Sequence, residues 1–329
     1  MGLCKAYYAK RLPPDWFLSA ALYSIILRLV EMIRIPRDYT IYSFSRRYTA
    51  RYRARPGDRI VFETLDALGG QIIDEGVSLE SIDWSRVNPA TGPLYVEGAE
   101  PGDTLVVEIE SIEVSDRGVI LVVPGFGALY DKSFRSRAKI VEIRNGVLLF
   151  NGVEIGVRPM VGVIGVAPED GDIPTGTSGY HGGNMDVKLL SAGARVYLPV
   201  FVEGALLAIG DLHAVQADGE LCVAAAEVSG EVQVKLDLIK GRRPRYPVIE
   251  TPDRYAVITF GVDLDEAVYR ASEEAVSILS RALNTGFEEA YMLSSLIVDI
   301  RVNQVVDPVK GVRAEIPKKF IRIDHLLYP

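Results

Sequence analysis

The amino-acid sequence predicts a β-rich α+β protein whose helices are confined to a pair near the C-terminus. Three observations lead there. Segments rich in Val, Ile and Thr recur from about residue 37, and several alternate apolar with charged residues as half-buried strands do. Turn signals punctuate them, among them the near-repeats "ARPGD" (54–58) and "AEPGD" (99–103). A long amphipathic helical period occurs only from residue 265 onward. Strands therefore do not alternate with helices, which excludes a doubly wound α/β architecture.

The elements follow in chain order. "RIVFETL" (59–65), "DTLVVEIESIEV" (103–114) and "GVILVVPG" (118–125) read as strands. "EIRNGVLLFNGVEIGV" (142–157) reads as a hairpin turning at Asn-Gly. "ARVYLPVFVEGALLAIGD" (194–211) and "VSGEVQVKLDLI" (228–239) continue the β texture. "DEAVYRASEEAVSILSRAL" (265–283) places Ala267, Ala271, Ala275, Ile278 and Leu279 on one stripe, so it is a helix with that stripe inward. "FEEAYMLSSLIV" (287–298) is a second helix after Gly286, and "DIRVNQVVD" (299–307) returns to strand.

Bulk properties narrow the function classes. The chain has 329 residues, 48% hydrophobic and 24% charged, which suits a globular protein with a sizeable core. Its net charge of −8 argues against a nucleic-acid partner. The basic stretches "SRRYTARYRAR" (45–55) and "GRRPR" (241–245) read as solvated faces. Two cysteines, Cys4 and Cys222, cannot build a disulfide framework and suit a cytoplasmic protein. No Walker, GxGxxG or GxSxG motif stands in a strand-turn-helix context.

The N-terminal residues 1–31 form an extension to a domain spanning 32–329. "WFLSAALYSIIL" (16–27) falls short of the roughly 20 apolar residues that cross a bilayer, so no membrane span is expected. Two readings of the extension stand: an added amphipathic helix over 13–34, or a misplaced start with the true one at Met32.

Chemistry concentrates in two stretches. In "IGDLHAVQADGELCVAAAEV" (209–228), Asp211 and His213 are two apart on a strand and so share a face. Asp218 and Glu220 repeat the spacing, and Glu227 follows a run of small apolar residues where a lone carboxylate is costly. A divalent cation such as zinc, which accepts imidazole nitrogen and carboxylate oxygen, would satisfy that set. "SGYHGGNMDVK" (178–188) adds His181 and Asp186; Gly182 and Gly183 would let an extended loop offer free N–H groups to a small molecule. Asp66 interrupts an apolar segment in "FETLDALGGQI" (62–72) and is a further candidate. Asn88 and Thr91 read as turn chemistry, and Lys188, Glu97 and His325 as structural or solvated.

A set of segments then resembles the acetamidase/formamidase family, in its order and near its spacing. They are "GDRIVFETLDALGGQI" (57–72), "NPATGPLYVEGAEPGDTLVVEI" (88–109), "MVGVIGVAP" (160–168), "HGGNMD" (181–186), "LPVFVEGALLAIGDLHAVQADGE" (198–220) and "EEAYMLSSLIVDIRVNQVVD" (288–307). The resemblance spans about residues 37–320. It implies a β-sandwich-like core with a smaller α/β part, hydrolysis of small aliphatic amides to ammonia and a carboxylate, a divalent metal, zinc by expectation, and a homo-oligomer. Two departures stand beside the proposed site: Ala217 where the family commonly has Gly, and Val223–Ala224 where it favours Gly-Thr.

The resulting expectation is a metal-assisted amidohydrolase. His181, Asp186, Asp211, His213 and Asp66 are the candidate metal ligands. Glu227 or Glu220 is the acid/base group, Asn184 orients the amide, and Gly182, Gly183 and Asn184 face the substrate. An amide- or urea-binding protein without turnover is the alternative that the two departures motivate. A cysteine nucleophile is not expected, because Cys222 is the only candidate and lies in an apolar run.

Overall fold

The computed structural model describes residues 32–329. The extension 1–31, with both readings of it, lies outside the described residues. Among the described residues two large sheets dominate, and two helices follow late in the chain. No described helix is long and apolar enough to cross a membrane.

Eight successive strands of the nine-stranded sheet are Arg59–Thr64, Gly230–Ile239, Thr104–Val114, Arg195–Pro199, Val248–Glu250, Arg254–Gly261, Lys310–Pro317 and, at its edge, Asp299–Gln304. These neighbours pair antiparallel. Helix Leu264–Leu283 covers this sheet. Its Ala267, Ala271, Ala275, Ile278 and Leu279 are buried against Val257, Val312, Ala314 and Ile316, as the apolar stripe requires. Asp263 caps its first turn by accepting from the Glu266 N–H, and Asn284 closes it in the left-handed conformation. The small alanines let the helix approach the sheet closely.

The twelve-stranded sheet carries the site. Its central strand, Leu207–His213, is buried at every position. Met160–Gly165 lies on one side; Glu227–Val228 and Ala90–Val96 share the other. The 137–156 region corrects the sequence reading. The segment is a three-stranded meander, Arg137–Arg144, Val147–Phe150 and Val153–Gly156, rather than one hairpin. Both Asn145-Gly146 and Asn151-Gly152 turn with positive φ at each residue, so each dipeptide reverses the chain. The basic stretches are neutralised at the surface: Arg46 pairs with Asp170, Arg55 with Glu97 and Arg242 with Asp324.

The tight helix-to-sheet contact gives a stability prediction. Ala271→Leu should overpack it and lower the unfolding free energy by about 1–3 kcal/mol. Urea titration measures this, and an unchanged midpoint would contradict the packing described.

Candidate functional site

The site is built where the central strand meets the end of its neighbours. His213 stands directly across the ladder from Glu227. Asp211, two residues back, adopts φ 55 in mid-strand, and Gly162 on the adjacent strand makes room for it. A Cβ at Gly162 would stand 2.6 Å from Asp211 Oδ2 and 2.7 Å from Asp186 Oδ1. Asp186 (φ 46) follows the short strand Gly182–Asn184, and Glu220 (φ 44) arrives on the loop after His213. Left-handed backbone at three carboxylate residues is costly and persists only where surrounding structure enforces it.

These side chains converge. His213 Nε2 lies 3.1 Å from Glu227 Oε2, 3.3 Å from Asp211 Oδ1 and 3.9 Å from Asp186 Oδ1. Two triads of ligand atoms fall within 4.8 Å of one another: Asp186, His213 and Glu220, and Asp211, His213 and Glu227. All five residues are buried. Asp186 Oδ1, Asp211 Oδ1, Glu220 Oε2 and Glu227 Oε2 accept no hydrogen bond among the described residues. Half-buried Asp307, from the loop after Asp299–Gln304, accepts from Asn184 Nδ2 at 3.0 Å and adds a fifth carboxyl group at the edge.

Gln216 fixes which imidazole nitrogen faces the cluster. Its Nε2 donates to the Asp186 carbonyl at 2.8 Å, so its Oε1 faces His213 Nδ1 at 2.7 Å. An amide oxygen only accepts, so Nδ1 carries a hydrogen and Nε2 is directed at the carboxylates. One contact joins the sheets here, and one shapes a loop at the site. Buried Arg313, on the nine-stranded sheet, donates to Asp218 Oδ2, Asn303 Oδ1 and Glu315 Oε1. Gln304 Oε1 accepts from the N–H groups of Val306 and Asp307, which shapes the loop carrying Asp307.

Burial and mutual repulsion set the protonation. Burial, reinforced by Asp211, raises the Asp186 carboxyl to about 7. Burial, again with Asp211, raises Glu227 to about 8 although His213 opposes it. Burial and Asp186 push both Glu220 and Asp307 well above the usual carboxylate range. Burial pulls His213 down, but Glu227 and Asp211 outweigh it and raise the imidazole well above its ordinary value. The donor set of carboxylate oxygens and one imidazole nitrogen, with orphaned oxygens and no lysine or arginine in the triads, fits a divalent cation.

A cavity of about 200 Å³ opens on this cluster. Asn88, Asn184, Asp211, Glu220, Glu227 and Asp307 supply its polar wall; Leu68, Trp84, Val87, Phe126, Val306 and Pro308 supply the apolar one. A three- or four-atom amide takes about two to three water volumes of about 30 Å³ each, so it fits with solvent to spare. Drug-sized ligands need roughly 300 Å³ or more.

Of the residues singled out in the sequence, Asp186, Asp211, His213, Glu220, Glu227 and Asn184 come together. His181 does not join them. Its ring packs edge-on to Phe44 at 4.9 Å, neither nitrogen has a hydrogen-bond partner among the described residues, and burial lowers its pKa to about 4. Asp66 also stands apart: its Oδ1 accepts from the N–H groups of Leu68 and Gly70 and so holds a turn. Gly182 and Gly183 are not in an open loop. They form a strand flanked by Ile164–Gly165 and Ser178–Gly179. A Cβ would stand 2.3 Å from the Ile164 carbonyl oxygen at Gly182, and 2.2 Å from that of Thr177 at Gly183, so the glycines serve close backbone approach. Sequence reasoning missed Asp307, Gln216 and Gly162. The first two had a faint signal: an Asp between Val306 and Pro308, and a Gln three residues after His213.

Comparison with known proteins gives the family. The family model described as acetamidase/formamidase matches residues 48–175 and 172–321. A formamidase from Methylophilus methylotrophus is 29% identical over 334 residues, covering 77% of this chain and 82% of that protein. The crystal structure of an acetamidase from Bacillus halodurans superposes with a TM-score of 0.86 at 39% identity, over 89% of this chain and 99% of that one. A structure described as a predicted acetamidase/formamidase from Thermoanaerobacter tengcongensis gives a TM-score of 0.85 at 40% identity, over 88% and 97%.

In unfolded chain these carboxyls lose their protons near 4, whereas folded Asp186 and Glu227 hold them to about 7 and about 8. Cation-free folded protein thus binds more protons over that window, and its stability falls as pH rises from about 4 to about 8. His213, raised in the fold, acts in the same direction above about 6.5. A bound cation replaces those protons, so the melting-temperature gap between cation-loaded and chelated protein should widen from pH 5.5 to pH 8.5 by about 5 °C or more. A gap independent of pH would contradict the protonation scheme. Val223 holds φ 140, a glycine conformation, so Val223→Gly should stabilise the fold by about 1 kcal/mol in urea titration; destabilisation would contradict the strain.

Proposed function

The chain belongs to the acetamidase/formamidase family, and on that premise we propose that it hydrolyses small aliphatic amides, formamide and acetamide among them, to ammonia and a carboxylate. The observation that carries the reading is the set of donor-less carboxylate oxygens around His213 Nε2, facing a cavity of about 200 Å³. The binding-only alternative is not favoured, because the relatives are formamidases and acetamidases by name.

Asp186, Asp211 and His213 would hold a divalent cation, zinc in our reading, with Glu220 and Glu227 beside them. When bound, the cation supplies Lewis acidity toward the amide carbonyl and acidifies water. The remaining work falls to the chain. Asn184 is oriented by its bond to Asp307, which leaves Asn184 Oδ1 without a donor of its own. That oxygen accepts an N–H of the substrate amide and turns its carbonyl toward the carboxylate cluster. Glu227 Oε1 is engaged by the Ala225 N–H at 2.8 Å, so Oε2 is the atom that holds the mobile proton. The raised pKa of Glu227 keeps that proton available near neutrality, and Oε2 delivers it to the departing ammonia. Glu220 Oε2, equally donor-less and raised, is the second candidate for that transfer. Leu68, Trp84 and Val306 keep the cavity apolar around the reacting group, which strengthens these interactions.

We also place the protein in the cytoplasm, on its cysteine usage, and as a homo-oligomer without a nucleic-acid partner. Helix Phe287–Ile297 buries only Ala290 and exposes Phe287, Tyr291, Met292 and Leu296, the last at 80%. It leads directly into Asp299–Gln304, the edge strand of the nine-stranded sheet. In an antiparallel pair of such edges centred on Ile300, Asp299 would face Arg301 of the second copy.

The reading is tested by ammonia release from formamide, acetamide and propionamide, before chelation, after it, and after zinc is restored. Loss on chelation and return with zinc supports both the activity and the cation; release that survives complete metal removal overturns the cation. His213→Ala should abolish metal retention and lower turnover by 10³-fold or more, and an active, metal-loaded variant would reject the assignment. Leu296→Glu should reduce the solution mass measured by light scattering, and an unchanged oligomer would remove this helix from the interface.

A further inference from the structure

The cavity at the carboxylate cluster has a larger neighbour. A cleft of about 580 Å³ lies beyond it, and Phe126 and Val306 line both spaces. The cleft is apolar for most of its wall, with Ala128, Tyr130, Val262, Leu264 and Val305 around the shared pair. Two of its charged residues are committed elsewhere. Asp263 caps the helix Leu264–Leu283, and Lys310 Nζ donates to the Asp307 carbonyl at 2.6 Å. The third, Asp265, stays exposed to solvent, so an apolar group lying along Ala128, Leu264, Val305 and Val306 need not desolvate it.

Phe126 is held at this boundary by its backbone. Gly125 and Gly127 flank it at φ +86 and φ +79. A Cβ at Gly127 would stand 2.6 Å from the carbonyl oxygens of Leu221 and Cys222, and the Ala128 N–H donates to Leu221 O at 2.8 Å. The turn is thus seated on the segment between Glu220 and Val223, both of which line the inner cavity. Phe126 itself is 52% exposed, so its ring is not needed to complete a core.

We propose that Phe126, with Val306, sets the acyl-chain length the enzyme accepts, by closing the reactive cavity off from the apolar cleft that a longer acyl chain would occupy. The inference rests on the amide-hydrolase reading. The inner cavity takes the carboxamide and a short acyl group. Each further methylene must pass the Phe126–Val306 wall, and each one taken up beyond it is worth about fourfold in binding. Hexanamide carries four more methylenes than acetamide, so removal of the wall has room for a large effect.

The test compares kcat/KM for acetamide, butyramide, hexanamide and phenylacetamide in cation-loaded wild type, Phe126→Ala, Phe126→Leu and Val306→Phe. Phe126→Ala should raise the hexanamide-to-acetamide ratio at least tenfold, mainly through a lower KM for hexanamide. Phe126→Leu should fall between it and wild type, and Val306→Phe should lower the ratio. Ratios within twofold of wild type in all three variants, while acetamide is still hydrolysed, overturn the proposal and leave the hydrolase reading standing. Absence of ammonia from every amide in wild type would reject that reading instead. Calorimetric titration with hexanamide would then decide the cleft: tighter binding to Phe126→Ala supports the wall, and equal binding overturns it.

Discussion

Four buried carboxyl groups around one imidazole make an arrangement that the described residues leave short of hydrogen-bond donors. Asp186, Asp211, Glu220 and Glu227 each leave an oxygen without a donor, and the triads they form with His213 contain no arginine or lysine. Isolated buried carboxylates cost several kcal/mol each, so they neutralise or bind a counter-charge. Protons are the counter-charge that the protein's own titration supplies, which is why burial lifts Asp186 and Glu227 into the neutral range. Under the proposed reading a divalent cation takes their place, and the energy stored in the cluster becomes affinity for that ion.

The fold is arranged to hold this costly group still. Asp211, Asp186 and Glu220 adopt backbone conformations that a free chain would leave. Gly162 opens the space into which two of the carboxylates point. Gln216 ties His213 to the main chain of Asp186, so the imidazole and one carboxylate segment move as a unit. Arg313 connects the two sheets through Asp218, on the loop that carries Glu220, and within its own sheet it holds Asn303, which precedes the Asp307 loop. The site therefore stands at a seam that neither sheet completes by itself.

Much of this was legible in the sequence because it rests on local periodicity. The stripe of Ala267, Ala271, Ala275, Ile278 and Leu279 fixed the helix and its buried face. Asp211 and His213 could be paired from strand spacing, and Glu227 from its isolation among small apolar residues. What stayed hidden depends on contacts distant in sequence. Asp307 is 123 residues from Asn184, to which it bonds, and Gly162 lies on a neighbouring strand. His181 misled for a related reason. A histidine beside two glycines suggests an open ligand loop, but those glycines permit close strand packing, and the ring is spent against Phe44. The doubled Asn-Gly signal over 145–152 contained the meander in full, yet reading it as one hairpin counted only one of two turns.

Val223 joins backbone strain to the cavity wall. Its backbone keeps a conformation suited to glycine, and it lines the cavity with a larger side chain. Under the proposed reading the cluster is a cation site and not a set of shared protons. Anomalous diffraction from crystals of the full chain, recorded on both sides of the zinc absorption edge, addresses it most directly. An edge-dependent peak is expected within bonding distance of His213 Nε2 and the carboxylate oxygens of Asp186 and Asp211. A cluster without such a peak after zinc is supplied, its carboxyl groups hydrogen-bonded to one another, would contradict it.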